Sequence, residues 1–322
     1  MSDQTIFDAY LHIGLPRFQT AEAAIAGMDG NGIAKALTCP FETCPDLREV
    51  HRAYTIAPDR FRIFGLALGA DRTEIERGLH AQFDAGFEGM RLTLERIAQV
   101  PSILDVVAER KGIPLIVTGQ GGAAPKAAEL TAFLDANPDC VIISPHMAGP
   151  TSPDIFRENA AVKALFTHPH FHVVMSRQTL FEPPVMSAWG EALIEHVGFE
   201  RLMWGSETPV LYWRDETLEE ALSWIEQYKP SNAALAAFRF GNAERVLFGR
   251  PVREPRPLAL PYEPFDFELR RPAPMWPLGF NADTRLPAQL VAAWMAEGGP
   301  KVQPLSAFTS KLLIEATSRS GR

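Results

Sequence analysis

Ile113-Pro114-Leu115-Ile116-Val117 is a continuous apolar run of five residues, followed by the polar Thr118. Seven similar runs recur along the chain at intervals of roughly 30 residues, with an amphipathic segment between most neighbours. The eight runs begin near Thr5, Ile33, Phe61, Phe87, Ile113, Cys140, Phe171 and Arg201. Continuous apolar runs are typical of parallel strands buried on both faces, and their alternation with helices is typical of β/α units. The pattern predicts an α/β fold, a (β/α)8 TIM barrel over residues 1–250.

The segments between the runs predict helices. Asp71-Arg72-Thr73-Glu74 has the composition of a helix N-terminal cap, and Ile75, Leu79 and Phe83 follow it four residues apart on one face. A second cap signal at 215–218 opens a similar apolar stripe. We expect these apolar faces to pack against the outside of the barrel.

Residues 251–322 form a second region with a different composition. They contain eleven of the 27 prolines, and one helical pattern, from Pro287 to Ala296. Proline at this density interrupts helices and strand pairing, so we expect this C-terminal extension to wrap along a surface. The barrel, its mouth and a neighbouring subunit are all open as that surface, and a homodimer is predicted.

Composition excludes several classes of partner. The net charge is −8 with a pI near 5.6, and no basic stripe marks a nucleic-acid interface. No apolar stretch approaches the roughly 20 residues that span a bilayer, and the N-terminus lacks the pattern of a signal peptide. The three cysteines form no close pair. We therefore predict a cytoplasmic protein that binds neither nucleic acid nor membrane.

Polar residues stand where the predicted strands end, which is where barrels of this kind carry their chemistry. Four segments carry the pattern: 8–12 (DAYLH), 144–149 (SPHMAG), 205–209 (GSETP) and 240–249 (FGNAERVLFG). In this order the segments resemble the amidohydrolase-related branch of the amidohydrolase superfamily, which carries D-x-H-x-H, H-x-G, G-S-D-x-P and G-N-A-x-R-L-F. The resemblance covers residues 5–249 and implies a TIM-barrel hydrolase, lactonase or decarboxylase.

The departures from the family pattern concern its metal site. In metal-dependent members, the resemblance implies two histidines on strand one, one on strand five and an aspartate on strand eight. Here Tyr10 replaces the first histidine, Thr118 the strand-five histidine, and Glu207 the aspartate. Hydroxyls are poor zinc ligands at neutral pH, so we predict no tightly bound metal and no cofactor. If a divalent metal such as zinc does bind, His12, His146 and Glu207 are its predicted ligands.

The same family includes metal-independent lactonases, and the remaining residues suit that chemistry. Glu207 is the predicted general base, because desolvation in a barrel mouth raises a carboxyl pKa toward a useful value. His12 and His146 are predicted to stabilise the oxyanion or to protonate a leaving oxygen, and Tyr10 to donate a hydrogen bond to the same oxygen. The alternative is that Tyr10 and Thr118 only fill a decayed metal cavity.

Arg91, at the end of strand four, and Arg177, at the end of strand seven, predict a small carboxylated substrate, because guanidinium groups bind carboxylates through paired hydrogen bonds. The alternative is that each arginine pairs with a nearby acid such as Glu95 or Glu182. Further predicted substrate-binding residues are Thr118 and Trp213.

Three functions are therefore open. The first is a lactonase or related C–O or C–N hydrolase that acts on a small carboxylated compound without a tightly bound metal. The second is a metal-dependent hydrolase or non-oxidative decarboxylase of the same family. The third is a barrel without catalysis, which serves as a binding or scaffold subunit.

Overall fold

Eight parallel strands form one sheet in the sequential order β1 to β8 in the computed structural model, which describes residues 5–15, 17–180, 182–214 and 216–268. The strands are β1 (Ile6–Leu11), β2 (Ile33–Thr38), β3 (Phe61–Leu66), β4 (Gly89–Thr93), β5 (Ile113–Val117), β6 (Ile142–Ser144), β7 (Phe171–Met175) and β8 (Leu202–Trp204). Each begins within two residues of a predicted apolar run. The predicted (β/α)8 barrel is confirmed.

Helices connect the strands on the outside. They are α1 (Ala21–Gly30), α2 (Leu47–Ile56), α3 (Arg72–Asp84), α4 (Leu94–Gln99), α5 (Ser102–Glu109), α6 (Ala127–Ala136), α7 (Ile155–Glu158), α8 (Ala160–Thr167), α9 (Pro183–His196), α10 (Leu218–Ser223) and α11 (Asn232–Ala236). Asp71 caps α3 as predicted, accepting from the Glu74 N–H at 2.9 Å. In the second cap signal, the capping residue is Thr217. Within these described ranges, no helix has both the length and the apolar character needed to cross a bilayer.

The barrel interior is a separate apolar core, because each strand buries both faces. Residues of seven strands fill it, including Phe7, Leu37, Phe64, Leu115 and Val174. A larger core lies between the strands and the surrounding helices. Side chains within the barrel are therefore rigidly packed, and the chemistry is confined to the strand ends.

The amino-terminal end of the barrel is closed by the segment that follows α11. The Asn242 side chain donates to the carbonyl of Phe199, just before β8, at 2.6 Å, and to that of Leu202, the first residue of β8, at 2.8 Å. Phe240 and Phe248 pack edge-on against Phe7 of β1, with ring centroids 6.1 and 5.6 Å away. These contacts explain the G-N-A-x-R-L-F motif. Its polar residues bind the start of β8, and its apolar residues pack into the amino-terminal end of the barrel.

The seam between β1 and β8 closes the barrel at its mouth. Glu207 N–H donates to the Tyr10 carbonyl at 2.7 Å, and His12 N–H donates to the Thr208 carbonyl at 2.8 Å. Gly205 allows this approach, since a Cβ there would lie 2.8 Å from the Tyr10 Cβ and 2.5 Å from a Val174 methyl. The seam therefore sets the positions of the residues that follow both strands.

The described part of the C-terminal extension runs along the outside of α2 and α3. Arg256 N–H donates to the Ala85 carbonyl at 3.2 Å, and Glu263 pairs with Arg48 of α2 at 2.8 Å. Tyr262 packs directly on Gly78 of α3. Residues 269–322, with the predicted helix Pro287–Ala296, lie outside the described residues, so what the rest of the extension covers stays a prediction.

Replacing Gly205 with alanine is expected to lower the free energy of unfolding by about 1 to 3 kcal/mol, because the new methyl group overpacks the β1–β8 seam. Gly30→Ala is the matched control, since no atom lies within 4 Å of its added Cβ in α1, and it should be neutral or slightly stabilising. Urea unfolding of both variants checks this. Equal stability of the two would contradict the packing argument.

Candidate active site

Six side chains from the ends of five strands form one contact network at the mouth, which we call the mouth cluster. They are Tyr10 (β1), His12 (after β1), Arg91 (β4), His146 (after β6), Arg177 (after β7) and Glu207 (after β8). These are six of the eight site residues predicted from the sequence. The cluster exists because parallel strands place all their carboxyl ends at the same edge.

Three of these residues have left-handed backbone conformations. The φ angles are 57° at His146, 64° at Arg177 and 61° at Glu207. An L residue in this region costs roughly 1 to 2 kcal/mol relative to the right-handed region. The neighbouring strands β6, β7 and β8 therefore all leave the barrel through strained residues that belong to the mouth cluster, a pattern typical of functional sites.

Glu207 and Arg177 form a two-pronged ion pair. Arg177 Nε lies 2.7 Å from Oε1 and 2.8 Å from Oε2 of Glu207, and a terminal guanidinium nitrogen also donates to Oε1. The Glu207 side chain is fully buried, whereas the Arg177 side chain is 25% exposed. Arg177 thus does pair with an acid, but the acid is the predicted general base rather than Glu182.

His146 is a neutral imidazole next to this ion pair. Its Nδ1 lies 3.1 Å from Ser176 Oγ, which also accepts from the His146 backbone N–H. Its Nε2 lies 3.6 Å from Glu207 Oε1 and has no hydrogen-bond partner among the described residues. Burial lowers the pKa of His146 well below its usual value, with a further contribution from the Arg177 charge. We assign the proton to Nε2, because the nearby carboxylate favours a donor there and the Ser176 hydroxyl can donate to Nδ1.

His12 has the opposite polarity. Its Nδ1 lies 2.9 Å from the Cys39 carbonyl oxygen, and since a carbonyl only accepts, Nδ1 carries the proton. The buried Nε2 therefore has a free lone pair, and it has no hydrogen-bond partner in the described structure. Burial lowers the pKa of His12 to about 3. At neutral pH, His12 thus offers an acceptor at Nε2 rather than a proton.

Tyr10 lies between the two imidazoles. Its ring centroid is 4.6 Å from that of His12 and 4.9 Å from that of His146, both edge-on. The phenol oxygen accepts from Arg91 Nε at 3.2 Å, and burial raises the pKa of the phenol above its ordinary value. Tyr10 therefore keeps its proton and can donate it in a hydrogen bond.

Arg91 is almost fully buried, and its contacts are with neutral groups. It donates to Tyr10, and its guanidinium carbon lies 4.6 Å from the centre of the Phe41 ring. Glu42 acts on it electrostatically, and Arg91 forms no ion pair with a carboxylate of the described residues. The mouth cluster thus holds two guanidinium groups against one carboxylate.

Asp8 lies in β1 next to the mouth cluster and holds its backbone in place through hydrogen bonds. Its carboxylate accepts from the backbone N–H of Ser206 at 2.9 Å, from the Ser206 hydroxyl, and from the Tyr10 N–H at 3.1 Å. Burial raises the pKa of Asp8 to about 6. Because these bonds join the end of β1 to the residue before Glu207, Asp8 positions both halves of the seam.

The other two predicted substrate-binding residues are Thr118 and Trp213. Thr118 directly follows β5, and its hydroxyl packs against the Cα of Gly149 in the loop after β6. It has no hydrogen bond to another described residue. Trp213 lies in the 3₁₀ turn Val210–Arg214 after β8, and its side chain lies outside the described residues.

Sequence reasoning missed the residues that orient the cluster. Ser176 binds His146 across two neighbouring strands, and no local pattern indicates such a contact. The Cys39 carbonyl, which sets the His12 tautomer, is a backbone group without a residue-type signature. Asp8 and Ser206 did carry a signal, since they are the D of D-x-H-x-H and the S of G-S-D-x-P.

A pair of histidines and a cysteine resemble reactive groups but are not expected to take part in catalysis. The histidines lie at the opposite end of the barrel from the mouth cluster, and the cysteine is unreactive. His168 and His170 precede β7, at the amino-terminal end of the barrel, and His168 Nε2 lies 3.4 Å from Asp135. Cys39 does face the mouth cluster, with its sulfur 3.8 Å from His12 Nδ1. Burial raises the pKa of the Cys39 thiol to about 12, so it stays protonated and is not a nucleophile.

The donor set does not fit a tightly bound zinc ion, which takes three or four N, S or carboxylate ligands. His12 and His146 each offer one nitrogen, but both Glu207 oxygens already accept from Arg177, and Tyr10 adds only a protonated hydroxyl. Among the residues that the structure describes, no three His, Cys, Asp or Glu side chains are grouped to hold a metal ion. Metal independence nevertheless stays a prediction.

Comparison with known proteins agrees with the fold. The family model described as amidohydrolase matches residues 15–249. No curated protein matches the sequence significantly.

Three similar solved structures are informative. A probable 2-pyrone-4,6-dicarboxylic acid hydrolase from Acinetobacter baumannii, with citric acid bound, is 15% identical with a TM-score of 0.60 and covers 76% of this chain and 99% of its own. An amidohydrolase from Burkholderia multivorans with bound zinc is 16% identical, with a TM-score of 0.55 and coverage of 77% and 100%. A 2,6-dihydroxybenzoate decarboxylase from Rhizobium is 16% identical, with a TM-score of 0.54 and coverage of 77% and 99%. At these identities the likeness shows the fold.

Replacing Asp8 with asparagine should change how stability depends on pH. The folded chain holds the Asp8 proton up to about pH 6, whereas the unfolded chain loses it near 3.8, so the free energy of unfolding falls as pH rises through this interval. Asp8→Asn lacks this term, so its stability relative to the parent chain should rise by about 3 kcal/mol from pH 3.8 to above 6.

Urea unfolding of both proteins between pH 4 and 8 checks the Asp8 prediction. The buried histidines His12, His146 and His172 have lowered pKa values and act in the opposite direction, but they are common to both proteins and cancel in the difference. Parallel stability curves for the two proteins would show that Asp8 titrates normally in the folded state.

Proposed function

The chain belongs to the amidohydrolase family, as its strand-end motifs predicted, and we propose that it is a hydrolase of lactone or related C–O or C–N bonds in a small carboxylated compound, without a tightly bound metal. Membership of this family makes the protein an enzyme. The solved structures with a similar fold include a hydrolase and a decarboxylase. The observation that carries the finer proposal is the mouth cluster, in which the strand-eight carboxylate binds a guanidinium next to the neutral imidazole of His146.

Metal independence is supported by what surrounds Glu207. A metal ligand needs a free lone pair directed at the ion, yet Arg177 donates to both oxygens of this carboxylate. Tyr10 stands where the family pattern has a histidine, and its phenol keeps its proton. Both features favour a site that activates water with protein side chains.

Glu207 is the proposed general base, and His12 is proposed to orient the water that Glu207 deprotonates. Glu207 removes one proton from water, and the resulting hydroxide adds to the acyl carbon of the substrate. The lone pair at His12 Nε2 accepts a hydrogen bond from the other hydrogen of that water. This differs from the role predicted from the sequence, since a neutral His12 protonated at Nδ1 has no proton at Nε2 to give to an oxyanion.

Tyr10, Arg91 and His146 stabilise the negative charge that develops on the oxygens of the substrate. Tyr10 donates its phenol hydrogen to the carbonyl oxygen, and the Arg91 N–H that it accepts makes it a stronger donor. The acyl C–O bond then breaks with its electron pair on the leaving oxygen, which takes the proton that Glu207 removed from water. His146 Nε2–H, 3.6 Å from Glu207 Oε1, donates a hydrogen bond that stabilises this oxygen, so Glu207 is regenerated as a carboxylate and the products are a carboxylic acid and an alcohol.

A carboxylated substrate is supported by charge. The mouth cluster carries two guanidinium groups against one carboxylate, and its histidines are neutral. Arg91 forms no ion pair with a described residue, and a buried guanidinium of this kind favours an anionic ligand. The similar structures are consistent with this, because the names of the Acinetobacter and Rhizobium proteins both specify carboxylated compounds.

Replacing Glu207 or His146 should lower turnover strongly. A pH-stat assay against a panel of lactones and esters measures turnover, because each hydrolysis releases one proton. In this assay Glu207→Gln and His146→Asn should lower kcat/KM roughly 10²- to 10⁴-fold. His168→Gln, a histidine at the opposite end of the barrel, is the control and should retain full activity. Unchanged activity in the first two variants would favour a binding or scaffold role for the mouth cluster. Release of CO₂ instead of acid would favour a decarboxylase.

Chelators should leave the activity unchanged. Protein purified without chelator is expected to contain well under one equivalent of zinc or manganese by elemental analysis, because the donor set is too poor to hold either tightly. Activity should survive dialysis against EDTA, with full turnover before any metal is restored. One equivalent of metal that is required for turnover would replace this proposal with the metal-dependent alternative.

A further inference from the structure

We propose that the mouth cluster binds 2-hydroxycarboxylates, with the carboxylate at Tyr10 and Arg91 and the hydroxyl at His12. Such a compound imitates the acyl group of a substrate together with the water that attacks it, so it inhibits the enzyme and is not hydrolysed. The inference rests on the proposed function for the position of that water. It goes further because it names the class of compounds that regulates the site.

His12 supplies an acceptor for the hydroxyl. Its Nδ1 lies 2.9 Å from the Cys39 carbonyl oxygen, which fixes the proton on that nitrogen. Its Nε2 is buried and has no hydrogen-bond partner among the described residues. A buried acceptor without a partner is unfavourable, and a ligand that brings an O–H group to it removes this penalty. The nitrogen therefore selects ligands that have a hydrogen to donate.

Tyr10 and Arg91 supply neighbouring donors for the carboxylate. Arg91 Nε donates to the Tyr10 phenol oxygen at 3.2 Å, so the phenol hydrogen is directed away from Arg91. The terminal N–H groups of Arg91 make no hydrogen bond to a described residue, although its side chain is almost fully buried. A buried guanidinium without an ion-pair partner favours an anion. One carboxylate oxygen can accept from the phenol and the other from the guanidinium.

The acceptor and the two donors lie close enough together for one small ligand. The ring centroid of Phe41 lies 4.2 Å from that of His12 and 4.6 Å from the guanidinium carbon of Arg91. The ring centroid of Tyr10 lies 4.6 Å from that of His12. The imidazole, the phenol and the guanidinium thus touch one another directly or through Phe41.

The position of the hydroxyl on the ligand follows from the proposed reaction. There, the carbonyl oxygen of the substrate accepts from Tyr10, and the water that donates to His12 Nε2 waits at about 3 Å from the carbonyl carbon. In a 2-hydroxycarboxylate, a carboxylate oxygen takes the place of the carbonyl oxygen. The hydroxyl is attached to the carbon next to the carboxylate carbon, so its oxygen lies close to the position of the water. A 3-hydroxyl lies one carbon further away.

The donor on the ligand is a hydroxyl rather than an ammonium group. A hydroxyl has one hydrogen to donate and matches the single lone pair of His12 Nε2, whereas an ammonium brings three N–H donors and a charge that must be desolvated. The Glu207 carboxylate, which could offset such a charge, is already paired with Arg177. The site therefore distinguishes 2-hydroxycarboxylates from 2-amino acids.

Titration calorimetry with four related acids tests the site without relying on turnover. Glutarate, 2-hydroxyglutarate, 3-hydroxyglutarate and glutamate share one carbon backbone, and both enantiomers of 2-hydroxyglutarate are measured. The parent chain should bind one enantiomer of 2-hydroxyglutarate about tenfold more tightly than the other three acids, because only its hydroxyl reaches the free acceptor. Equal binding of 2-hydroxyglutarate and glutarate, or no measurable binding of either, overturns the proposal.

Variants of the contact residues test each half of the site. In His12→Phe, 2-hydroxyglutarate should lose its tenfold advantage over glutarate, while glutarate itself binds as it does to the parent chain. In Arg91→Gln, both acids should bind at least tenfold more weakly. His168→Gln, at the opposite end of the barrel, is the control and should match the parent. An advantage that is retained in His12→Phe overturns the proposal. Near-UV circular dichroism verifies folding, and His12→Leu serves as the second variant if His12→Phe is unfolded.

Inhibition measurements separate this inference from the proposed function. In the hydrolysis of a lactone or ester, 2-hydroxyglutarate should raise KM and leave kcat unchanged, with an inhibition constant equal to its dissociation constant. Binding that depends on His12, in a protein that hydrolyses no member of the panel, would support the hydroxycarboxylate site and count against the hydrolase. Hydrolysis that depends on Glu207, without an advantage of 2-hydroxyglutarate over glutarate, would support the hydrolase and reject the hydroxycarboxylate site.

Discussion

The closure of the barrel between β1 and β8 is the constraint on which the rest of the structure depends. Two backbone hydrogen bonds join the end of β1 to the residues that follow β8, one from Glu207 to Tyr10 and one from His12 to Thr208. Gly205 leaves room for the approach, and Asp8 ties the two sides together through Ser206. Because the bonded residues are themselves members of the mouth cluster, the same bonds that close the fold also assemble the site.

Burial then decides the protonation states in the site. Desolvation lowers the pKa of His12 and His146 and raises that of Tyr10, so two imidazoles and a phenol all stay neutral at physiological pH. The remaining charges are those of two arginines and Glu207, and the carboxylate is stable in the interior because Arg177 binds it. A donor phenol, an acceptor imidazole and a carboxylate paired with an arginine thus lie within one contact network, and the proposed hydrolysis depends on this arrangement.

Prediction from the sequence succeeded where a local pattern carries the information. The eight apolar runs identified the strands, and the strand-end motifs selected six residues that the fold brings together. The sequence was less informative about the chemical role of each of these residues. The sequence left Arg177 between a substrate and a nearby acid, but its partner is the predicted base, thirty positions away and on the next strand. Likewise, the tautomer of His12 depends on the backbone carbonyl of Cys39, directly after β2, which no residue type reveals.

The sequence alone determined the architecture and the family of this protein, because hydrophobic periodicity and short motifs are properties of neighbouring residues along the chain. It also determined which side chains are present at the strand ends, and so the scarcity of metal ligands there. Only the tertiary structure decided which groups touch, which are cut off from water and which way each proton points. Those properties arise from contacts between strands far apart in the chain, and from the desolvation that exists only after the barrel has closed.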